Sequence, residues 1–382
     1  MSENLPTYSK LLVISDTGMY EQEGKVYAFG PVVKELDYFL TIFKDVTWIG
    51  FNRPDQIGNK SYNEVTDNHV KVLALKNVGG TQLKSKLQVL FQYPKMFQEV
   101  LKEVKKHKYI HCRAPSQPAF LSMFLTFFFP KKQFWFKYAG SWVDSTSVSY
   151  NLQRKVLQIL PSHVKTTING HWENQKATII TFENPCLTIL DRELGAQIKK
   201  QKKLLKPSKY CFVGNLDSNK GVDILVETFK IYSNIEIDTL HIVGDGPLRN
   251  ALESSLESVK FKVVFHGFLS RETLMEIYKV CHFIVLPSKS EGFPKVIAEA
   301  MNYGCVPVVT DVSCIGQYIE NETNGFLLED VSHVSLQKAL LKINDLKEDE
   351  YKTMIEYNYN LAKKFTYQYY INQIVKLIYV KN

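Results

Sequence analysis

Two glutamates eight residues apart, Glu291 and Glu299, are the side chains in this sequence best placed to do chemistry. The apolar run HFIVLPS before them is typical of a buried strand, and Gly292 lies in the segment that follows it. Pro294 is suited to the first turn of a helix, because its missing N–H is not needed there. The spacing therefore predicts Glu291 in a strand-to-helix loop and Glu299 about one turn inside the helix.

A helix that begins beneath a glycine-containing loop favours a phosphate, because free N–H groups and the positive end of the helix dipole point at it. The backbone N–H groups of Phe293 and Lys295 could face a phosphate or a sugar, whereas Pro294 has none. Carboxylates do not bind phosphate, but they accept hydrogen bonds from sugar hydroxyls on either side of it. The pattern predicts a nucleotide-sugar site, with a glycosyl group on one side of the diphosphate and a ribose on the other.

The stretch LPSKSEGFPKVIAEA, from Leu286 to Ala300, resembles the E-x7-E signature of retaining glycosyltransferases of family 4, of the group 1 type, which have the GT-B fold. Four further blocks resemble the same family in the same order and at similar spacing: CFVGNLDSNKGVDILVETF, TLHIVGDGPLRNALE, KVVFHGFLSRETLMEIYKVCHFIVLPS and GCVPVVTDVSCIGQYIENETNGFLLE. One glutamate pair at this spacing is a weak signal, but five blocks in register are specific. The resemblance covers about residues 209–330, and the first half of the chain matches only by pattern.

The resemblance implies an α/β protein of the GT-B fold, with two Rossmann-like domains whose parallel sheets face a central cleft. We expect an acceptor-binding domain over 1–185, a linker over 186–208 and a donor-binding domain over 209–364. Residues 365–382 are expected to form a helix that crosses back to the first domain, with a helix that stays on the second domain as the alternative.

Apolar, β-rich runs alternate with segments of helical period, which indicates βαβ units and parallel sheets. The predicted strands are Lys10–Ser15, Val46–Gly50, Val70–Leu75, Lys108–Cys112, Gln133–Tyr138, Thr178–Phe182, Tyr210–Val213, Thr239–Val243, Lys262–Phe265, Phe283–Leu286 and Val306–Val309.

The resemblance also implies roles for residues in the second half. Lys220 matches a lysine that grips the donor diphosphate, where it can act as a point charge; a solvated lysine at a helix start is the alternative. Asn215 follows Gly214 where the family usually has an arginine, so one expected positive charge is missing. Glu299 would accept hydrogen bonds from the ribose hydroxyls, and Glu291 would bind the donor sugar near the reacting centre.

Several glycines and one aromatic residue complete the predicted donor site. Gly244 and Gly246 are expected in a turn that lines the nucleotide pocket, with a purely structural turn equally open. Phe268 would lie near the base or in the core. Gly18 is the glycine of the first loop most suited to approach the donor phosphates. The predicted donor-binding residues are thus Gly18, Gly214, Asn215, Lys220, Gly244, Gly246, Phe268, Gly292, Phe293, Pro294, Lys295 and Glu299.

His111 and Arg113 lie at the end of a predicted strand of the first half, at a place where many relatives have a histidine close to the point of sugar transfer. We therefore predict both as catalytic residues beside Glu291. A structural histidine is the alternative for His111, and contact with a phosphate or an acidic acceptor is open for Arg113.

Composition restricts the binding partners and the cellular compartment that this chain could have. The net charge of +8 and pI near 8.9 favour anionic partners, and no aromatic-basic nucleic-acid motif is present. No apolar stretch of about 18 residues and no signal peptide occur, so a cytoplasmic protein is expected, with contact at the inner membrane face as an option. The six cysteines show no CxxC pattern and no His/Cys cluster has zinc spacing, so buried thiols and no metal are expected.

The apolar run Phe120–Phe129 is too short to span a bilayer. A buried helix of the first domain is the simpler interpretation. The alternative is a surface helix that docks on a membrane carrying a lipid-linked acceptor.

These expectations combine into one function. The chain would transfer a hexose from a UDP- or GDP-sugar, as co-substrate, to a hydroxyl of a glycan or lipid-linked acceptor in surface polysaccharide biosynthesis. The anomeric configuration would be retained, and the helix dipole, Lys220 and backbone amides would stabilise the leaving diphosphate without a metal or cofactor. A non-catalytic nucleotide-sugar-binding homologue is the alternative, and a nicotinamide oxidoreductase is disfavoured because no GxGxxG motif occurs.

Overall fold

Strands and helices alternate through most of the chain, as the sequence predicts. The computed structural model describes residues 5–59, 61–76, 83–143, 147–232, 234–257 and 259–378, with the backbone alone for 83–91. The last four residues of the predicted C-terminal helix therefore lie outside the described residues. The chain forms two compact units: unit 1 contains Met1–Phe182 and Tyr367–Asn382, and unit 2 contains Glu183–Thr366.

The elements of unit 1 come first along the chain. They are β1 (Tyr8–Gln22), β2 (Lys25–Phe29), α1 (Gly30–Phe39), β3 (Phe43–Asn52), β4 (Tyr62–Glu64), β5 (Val70–Leu75), α2 (Leu83–Lys106), β6 (Tyr109–Ala114), α3 (Gln117–Phe128), β7 (Gln133–Tyr138), α4 (Val148–Ile159), β8 (Lys165–Ile168) and β9 (Ile179–Thr181).

The elements of unit 2 follow, and one helix then returns to unit 1. They are α5 (Ile189–Gln201), β10 (Ser208–Val213), α6 (Val222–Ile231), β11 (Ile237–Val243), α7 (Arg249–Ser255), β12 (Lys262–Gly267), α8 (Arg271–Val280), β13 (Phe283–Leu286), α9 (Lys295–Asn302), β14 (Val306–Thr310), β15 (Phe326–Leu328), α10 (His333–Asp345) and α11 (Glu348–Ala362). The returning helix is α12 (Tyr367–Gln373), which belongs to unit 1.

The unit 1 sheet is mainly parallel, in the order β5-β3-β1-β6-β7-β8-β9. Side chains of β1 alternate between its two faces, as the period of a strand requires. Leu12 and Ile14 pack with α2, α3 and α4 on one face, whereas Leu11 and Val13 pack with α1 and α12 on the other. The sheet is thus covered by helices on both faces, which is the usual condition of a parallel sheet.

The loop predicted after the first strand is instead a β-hairpin. β1 continues to Gln22 and pairs antiparallel with β2, and β2 pairs with β4. Glu23 and Gly24 make the turn, both with positive φ (53° and 74°), as a tight hairpin turn requires. The prediction that Gly18 lies in an open phosphate-binding loop is therefore wrong. A Cβ at Gly18 would lie 2.6 Å from the Tyr62 hydroxyl oxygen, so the space beside it is filled by this protein's own side chains.

The unit 2 sheet is parallel throughout, in the order β12-β11-β10-β13-β14-β15. The chain winds from β10 outward to β12 and then returns to the other side of β10 for β13. This reversal creates a topological switch point between β10 and β13.

Every predicted strand overlaps an observed one, whereas β2, β4, β8 and β15 were not predicted. These four strands have three to five residues each, which is too short for a clear hydrophobic pattern. All six cysteines are buried and free of disulfides. Among the described residues, no helix has the length and apolar character needed to cross a membrane.

Candidate functional site

The switch point of unit 2 gathers most of the predicted donor-binding residues. Ligands of open α/β sheets bind at the carboxyl ends of strands beside such a point. The loop after β10 leads from Gly214 to Lys220, and the loop after β13 contains Glu291. Lys289 donates its backbone N–H to the carbonyl oxygen of Asn219 at 2.8 Å, which ties the two loops together.

Lys220 and Glu291 form an ion pair at this point. The distance from Lys220 Nζ to Glu291 Oε1 is 2.5 Å, and Ser288 Oγ donates to the same oxygen at 2.9 Å. Asp217 Oδ1 fixes the turn before the lysine by accepting the backbone N–H of Lys220 at 3.0 Å. The side chain of Glu291 is 8% exposed and that of Lys220 is 24% exposed. The site therefore presents an ammonium that suits phosphate beside a carboxylate that suits sugar hydroxyls.

Glu299 lies inside α9, which begins at Lys295. Pro294 is the residue before the helix (φ −72°, ψ 123°), so its predicted place in the first turn is wrong by one residue. The Glu299 side chain is 16% exposed, and its Oε1 lies 3.9 Å from Arg271 Nη1. Burial raises the pKa of Glu299, while Arg271 and Lys295 oppose that rise. The carboxylate is thus available to accept hydrogen bonds but is easier to protonate than a solvated one.

Arg271 is a residue of this site that sequence reasoning missed. It is the first residue of α8, and its Nη2 donates to Asp191 Oδ2 at 2.7 Å and also to the carbonyl oxygen of Cys186. Asp191 in turn accepts the Tyr303 hydroxyl at 2.8 Å. Arg271 therefore links Glu299 to the start of α5. Its position directly after the block HGFLS was the available signal.

Phe293 contributes packing to the loop before α9. Its side chain is 5% exposed, and its ring stacks on Phe365 with 4.7 Å between centroids, beside Tyr318 at 4.8 Å. Cys314 Sγ lies 3.3 Å from the carbonyl oxygen of Gly292 and donates to it. The loop is therefore anchored through its side chain and backbone, and only the backbone of Phe293 is left to face a ligand.

The glycines of the β11 turn are required by close backbone packing. Gly244 has φ +127°, and a Cβ there would lie 1.9 Å from the carbonyl oxygen of Gly214. A Cβ at Gly246 would lie 2.6 Å from the carbonyl oxygen of Leu216. Both contacts favour the structural-turn interpretation, and ligand contact at these glycines stays a prediction.

Asn215 and Phe268 follow the carboxyl ends of β10 and β12. Asn215 is exposed and brings no charge to the position where an arginine was expected. Phe268 is 59% exposed, so the alternative that it belongs to the core is wrong. Its contact with a base stays a prediction.

In unit 1 the two predicted catalytic residues have different surroundings. His111 is fully buried, and its ring stacks on Trp135 with 3.9 Å between centroids. Burial holds the pKa of His111 well below its usual range, so the ring is neutral. A side chain without exposed surface cannot touch a substrate, and the catalytic prediction for His111 is therefore wrong in this structure. Arg113, at the end of β6, keeps a 22% exposed side chain.

A buried glutamate that the sequence analysis did not single out holds Arg113. Glu35 of α1 is 1% exposed, and its Oε2 accepts from Arg113 Nη1 at 2.6 Å. Its Oε1 accepts from the Tyr370 hydroxyl at 2.6 Å and from Lys137 Nζ at 3.1 Å. Glu35 thus accepts from donors on three other elements of unit 1, namely β6, β7 and α12. The available signal was its place on the apolar side of α1, beside Val32 and Leu36.

Within the described ranges, no group of three or more His, Cys, Asp or Glu side chains is arranged to hold a metal ion.

Most of the sequence similarity to known proteins lies in unit 2. Residues 195–361 match the model of the family described as Glycosyl transferases group 1. The match is to less than half of the chain. The matched stretch contains every predicted donor-binding residue except Gly18, and it also contains the missed Arg271.

Two curated relatives show how much of a protein the likeness covers. An uncharacterized glycosyltransferase of Methanocaldococcus jannaschii is 32% identical over 161 residues, which is 42% of this chain and 40% of that protein. The UDP-Gal:alpha-D-GlcNAc-diphosphoundecaprenol alpha-1,3-galactosyltransferase of Escherichia coli is 32% identical over 151 residues, which is 37% of this chain and 38% of that protein. The chain thus matches about two fifths of the length of these relatives.

A solved structure shows that the fold likeness extends beyond residues 195–361. The crystal structure of HepE from Anabaena, in complex with UDP and glucose, matches with a TM-score of 0.66 at 14% identity. The match covers 97% of this chain and 99% of that one. Such structural neighbours are GT-B glycosyltransferases, so the predicted α/β GT-B fold is confirmed.

Proposed function

We propose that this chain is a retaining glycosyltransferase of family 4. It moves a hexose from a UDP- or GDP-sugar to a hydroxyl of a glycan or lipid-linked acceptor. The observation that carries the proposal is the Lys220–Glu291 ion pair at the switch point of unit 2, followed directly by α9 with Glu299. A phosphate between an ammonium and a helix start, with carboxylates for hydroxyls nearby, matches a nucleoside diphosphate sugar.

The chemistry requires stabilisation of the diphosphate as it leaves the sugar. Lys220 and the N–H groups at the start of α9 supply positive potential at that position without proton transfer. Glu291 accepts from hydroxyls of the transferred sugar, and Glu299 accepts from the ribose. In this scheme the leaving phosphate helps to deprotonate the acceptor on the same face of the sugar, and no metal takes part.

The named relatives support the proposed class of donor and acceptor. The Escherichia coli relative uses UDP-Gal and a diphosphoundecaprenol-linked acceptor by its name, and HepE was solved with UDP and glucose. A diphosphate-bearing lipid acceptor also suits the exposed part of Arg113. We therefore place the activity in surface polysaccharide biosynthesis at the cytoplasmic face of a membrane.

Donor binding is tested by thermal unfolding with UDP-, GDP- and ADP-sugars and the free nucleotides. A true donor well above its Kd raises the melting temperature by mass action. We expect one nucleotide family to stabilise the natural chain and to lose most of that effect in Glu299→Gln. Glu276→Gln, which changes an exposed glutamate of α8, is the matched control and should keep it.

The pH dependence gives a second readout of the same residue. Because the pKa of Glu299 lies above its ordinary value of 4.5, its carboxylate is lost as the pH falls toward that value from neutral. Donor stabilisation should weaken over this window in the natural chain, whereas Glu299→Gln should show no such dependence. No stabilisation by any nucleotide sugar would overturn the proposal.

A non-catalytic nucleotide-sugar-binding homologue is the second candidate, because Asn215 supplies no charge where the family usually has an arginine. Turnover of the stabilising donor with a crude lipid acceptor separates the two. Release of free nucleotide supports the transferase, and binding without any release supports the non-catalytic homologue.

A further inference from the structure

Positive charge is concentrated in one part of unit 1. Residues 84–176 contain 15 lysines and arginines against 4 acidic residues, whereas unit 2 contains 22 basic against 25 acidic residues. The basic segment includes α2, α3 and α4, which pack side by side on one face of the unit 1 sheet through a shared core. Their outer sides therefore form one surface with strong positive potential.

The same surface exposes large apolar side chains. On α3, Phe124 is 47% exposed, Phe127 is 53% exposed and Phe128 is 76% exposed, while Ala119 and Met123 face the core. α3 therefore has one buried side and one side with exposed phenylalanines, and membrane docking of the exposed side stays a prediction. Exposed phenylalanines at a helix end are unusual in a soluble protein unless something covers them.

The neighbouring helix α4 extends the apolar character. Val148, Leu152 and Ile159 recur at helical spacing and are 85%, 49% and 68% exposed. Leu157 of the same helix is buried in the core shared with α3. α4 therefore carries an apolar stripe on its outer side as well as one on its inner side.

Lysines border the tip of α3. Lys132, just after the helix, donates Nζ to the carbonyl oxygens of Lys105 and His107 at 3.0 and 2.6 Å, which fixes the end of α2 beside the end of α3. The exposed lysines 105, 106 and 131 therefore lie near Phe127 and Phe128. We name this set the Phe–Lys surface: Phe124, Phe127, Phe128, Lys105, Lys106 and Lys131.

We propose that the Phe–Lys surface docks unit 1 on an anionic lipid bilayer. Phenyl rings that enter the interface, bordered by lysines that meet anionic headgroups, are the pattern of an interfacial helix. The proposal goes beyond the proposed function and adds a membrane-contact surface to unit 1.

Other occupants fit the surface less well. A second copy of the chain would bring two clusters of like charge together, which opposes a symmetric contact. A nucleic acid would use the lysines and could stack on the rings, but the aliphatic stripe of α4 offers nothing to a base. A bilayer satisfies the lysines, the rings and the stripe together.

The test is flotation of the full chain with vesicles of phosphatidylcholine alone and of phosphatidylcholine mixed with phosphatidylglycerol. We expect binding to the anionic vesicles that weakens with added salt. The double variants Phe127→Ser/Phe128→Ser and Lys105→Glu/Lys131→Glu should each weaken binding by roughly ten-fold or more. Because these side chains are exposed, unchanged thermal unfolding should accompany the loss.

Matched controls lie in unit 2. Ile231→Ser changes a 54% exposed residue of α6, and Lys200→Glu reverses an exposed lysine of α5; both should bind vesicles as the natural chain does. The proposal is overturned if the natural chain does not bind anionic vesicles, or if the two double variants of unit 1 bind them as well as the natural chain does. It is also overturned if the Phe127→Ser/Phe128→Ser change converts a dimer to a monomer, or if a single-stranded oligonucleotide displaces the vesicles.

The vesicle experiment and the donor-binding experiment test the two proposals independently. A chain that binds anionic vesicles but no nucleotide sugar would refute the proposed function and leave the docking surface standing. A chain that binds a nucleotide sugar but no vesicles would refute the docking surface and leave the proposed function standing.

Discussion

Lys220 and Glu291 neutralise each other at the switch point, so neither charge is left alone in a mostly buried position. Removing one partner of such a pair leaves the other with a desolvation cost and no compensation. A donor diphosphate and its sugar would supply new partners to both groups. The ion pair is therefore a resting arrangement whose two members suit different parts of one ligand.

Removal of one charge of this pair should destabilise the protein more than removal of both charges. Lys220→Met should lower the free energy of unfolding by about 1–2 kcal/mol, a value reduced because the lysine is partly exposed. Lys220→Met/Glu291→Leu should recover most of that loss, while both variants lose stabilisation by the donor. Chemical unfolding of the three proteins measures the effect. A double variant less stable than the single one would contradict it.

At residue level the sequence predicted the loop positions of Lys220 and Glu291 and the helical position of Glu299, because each follows a recognisable strand or helix start. It failed at His111 because β6 is buried on both faces and has no period-two pattern to show which way a side chain points. Glu35 and Arg113 are 78 residues apart, and no local pattern joins them.

The β11 turn shows how an element depends on one glycine. The backbone of Gly244 crosses that of Gly214 so closely that no side chain fits, and its φ of +127° is open only to glycine. Gly214 itself has ordinary contacts, the nearest being Phe212 Cζ at 3.6 Å from a built Cβ.

Substitutions at Gly244 and Gly214 provide a matched test of this close contact. Gly244→Ala should lower the free energy of unfolding by roughly 2–4 kcal/mol, because backbone strain and overlap with the Gly214 carbonyl add together. Gly214→Ala should change it by less than about 1 kcal/mol. Equal losses in urea unfolding would show that the contact does not determine the turn.

Among the elements, the parallel strands were predictable because each is an apolar run followed by a helical period. The hairpin of β1 and β2 was missed, although Glu23–Gly24 between apolar runs is a turn signal. Reading that signal would have removed Gly18 from the donor site, because a hairpin extends the strand through the position assigned to a loop.

At the scale of the whole molecule, unit 1 is built from both ends of the chain. Tyr370, Ile371 and Ile374 pack in the same core as Leu11, Trp48 and Phe39. The division at 182/183 and 366/367 could not be read from composition, because α12 has an ordinary aromatic and apolar pattern that suits either unit.

The contribution of the C-terminal helix is measurable at one hydroxyl. Tyr370→Phe removes a donor from the buried carboxylate of Glu35 and should lower the free energy of unfolding by about 1.5–3 kcal/mol. Tyr357→Phe, at a 46% exposed position of α11, should change it by less than about 0.5 kcal/mol. Equal stability of the two variants in urea unfolding would contradict this role.

The division of unit 1 between the chain ends also sets an order of events during synthesis. Unit 2 is one continuous segment, so all of its strands can pair before the ribosome has made the last helix. Unit 1 is begun first but lacks α12, and Glu35 lacks the Tyr370 hydroxyl, until the residues that follow unit 2 have been made. Domains generally mature from the N-terminus onward, but here the core around Phe39 is complete only after all of unit 2 has been synthesised.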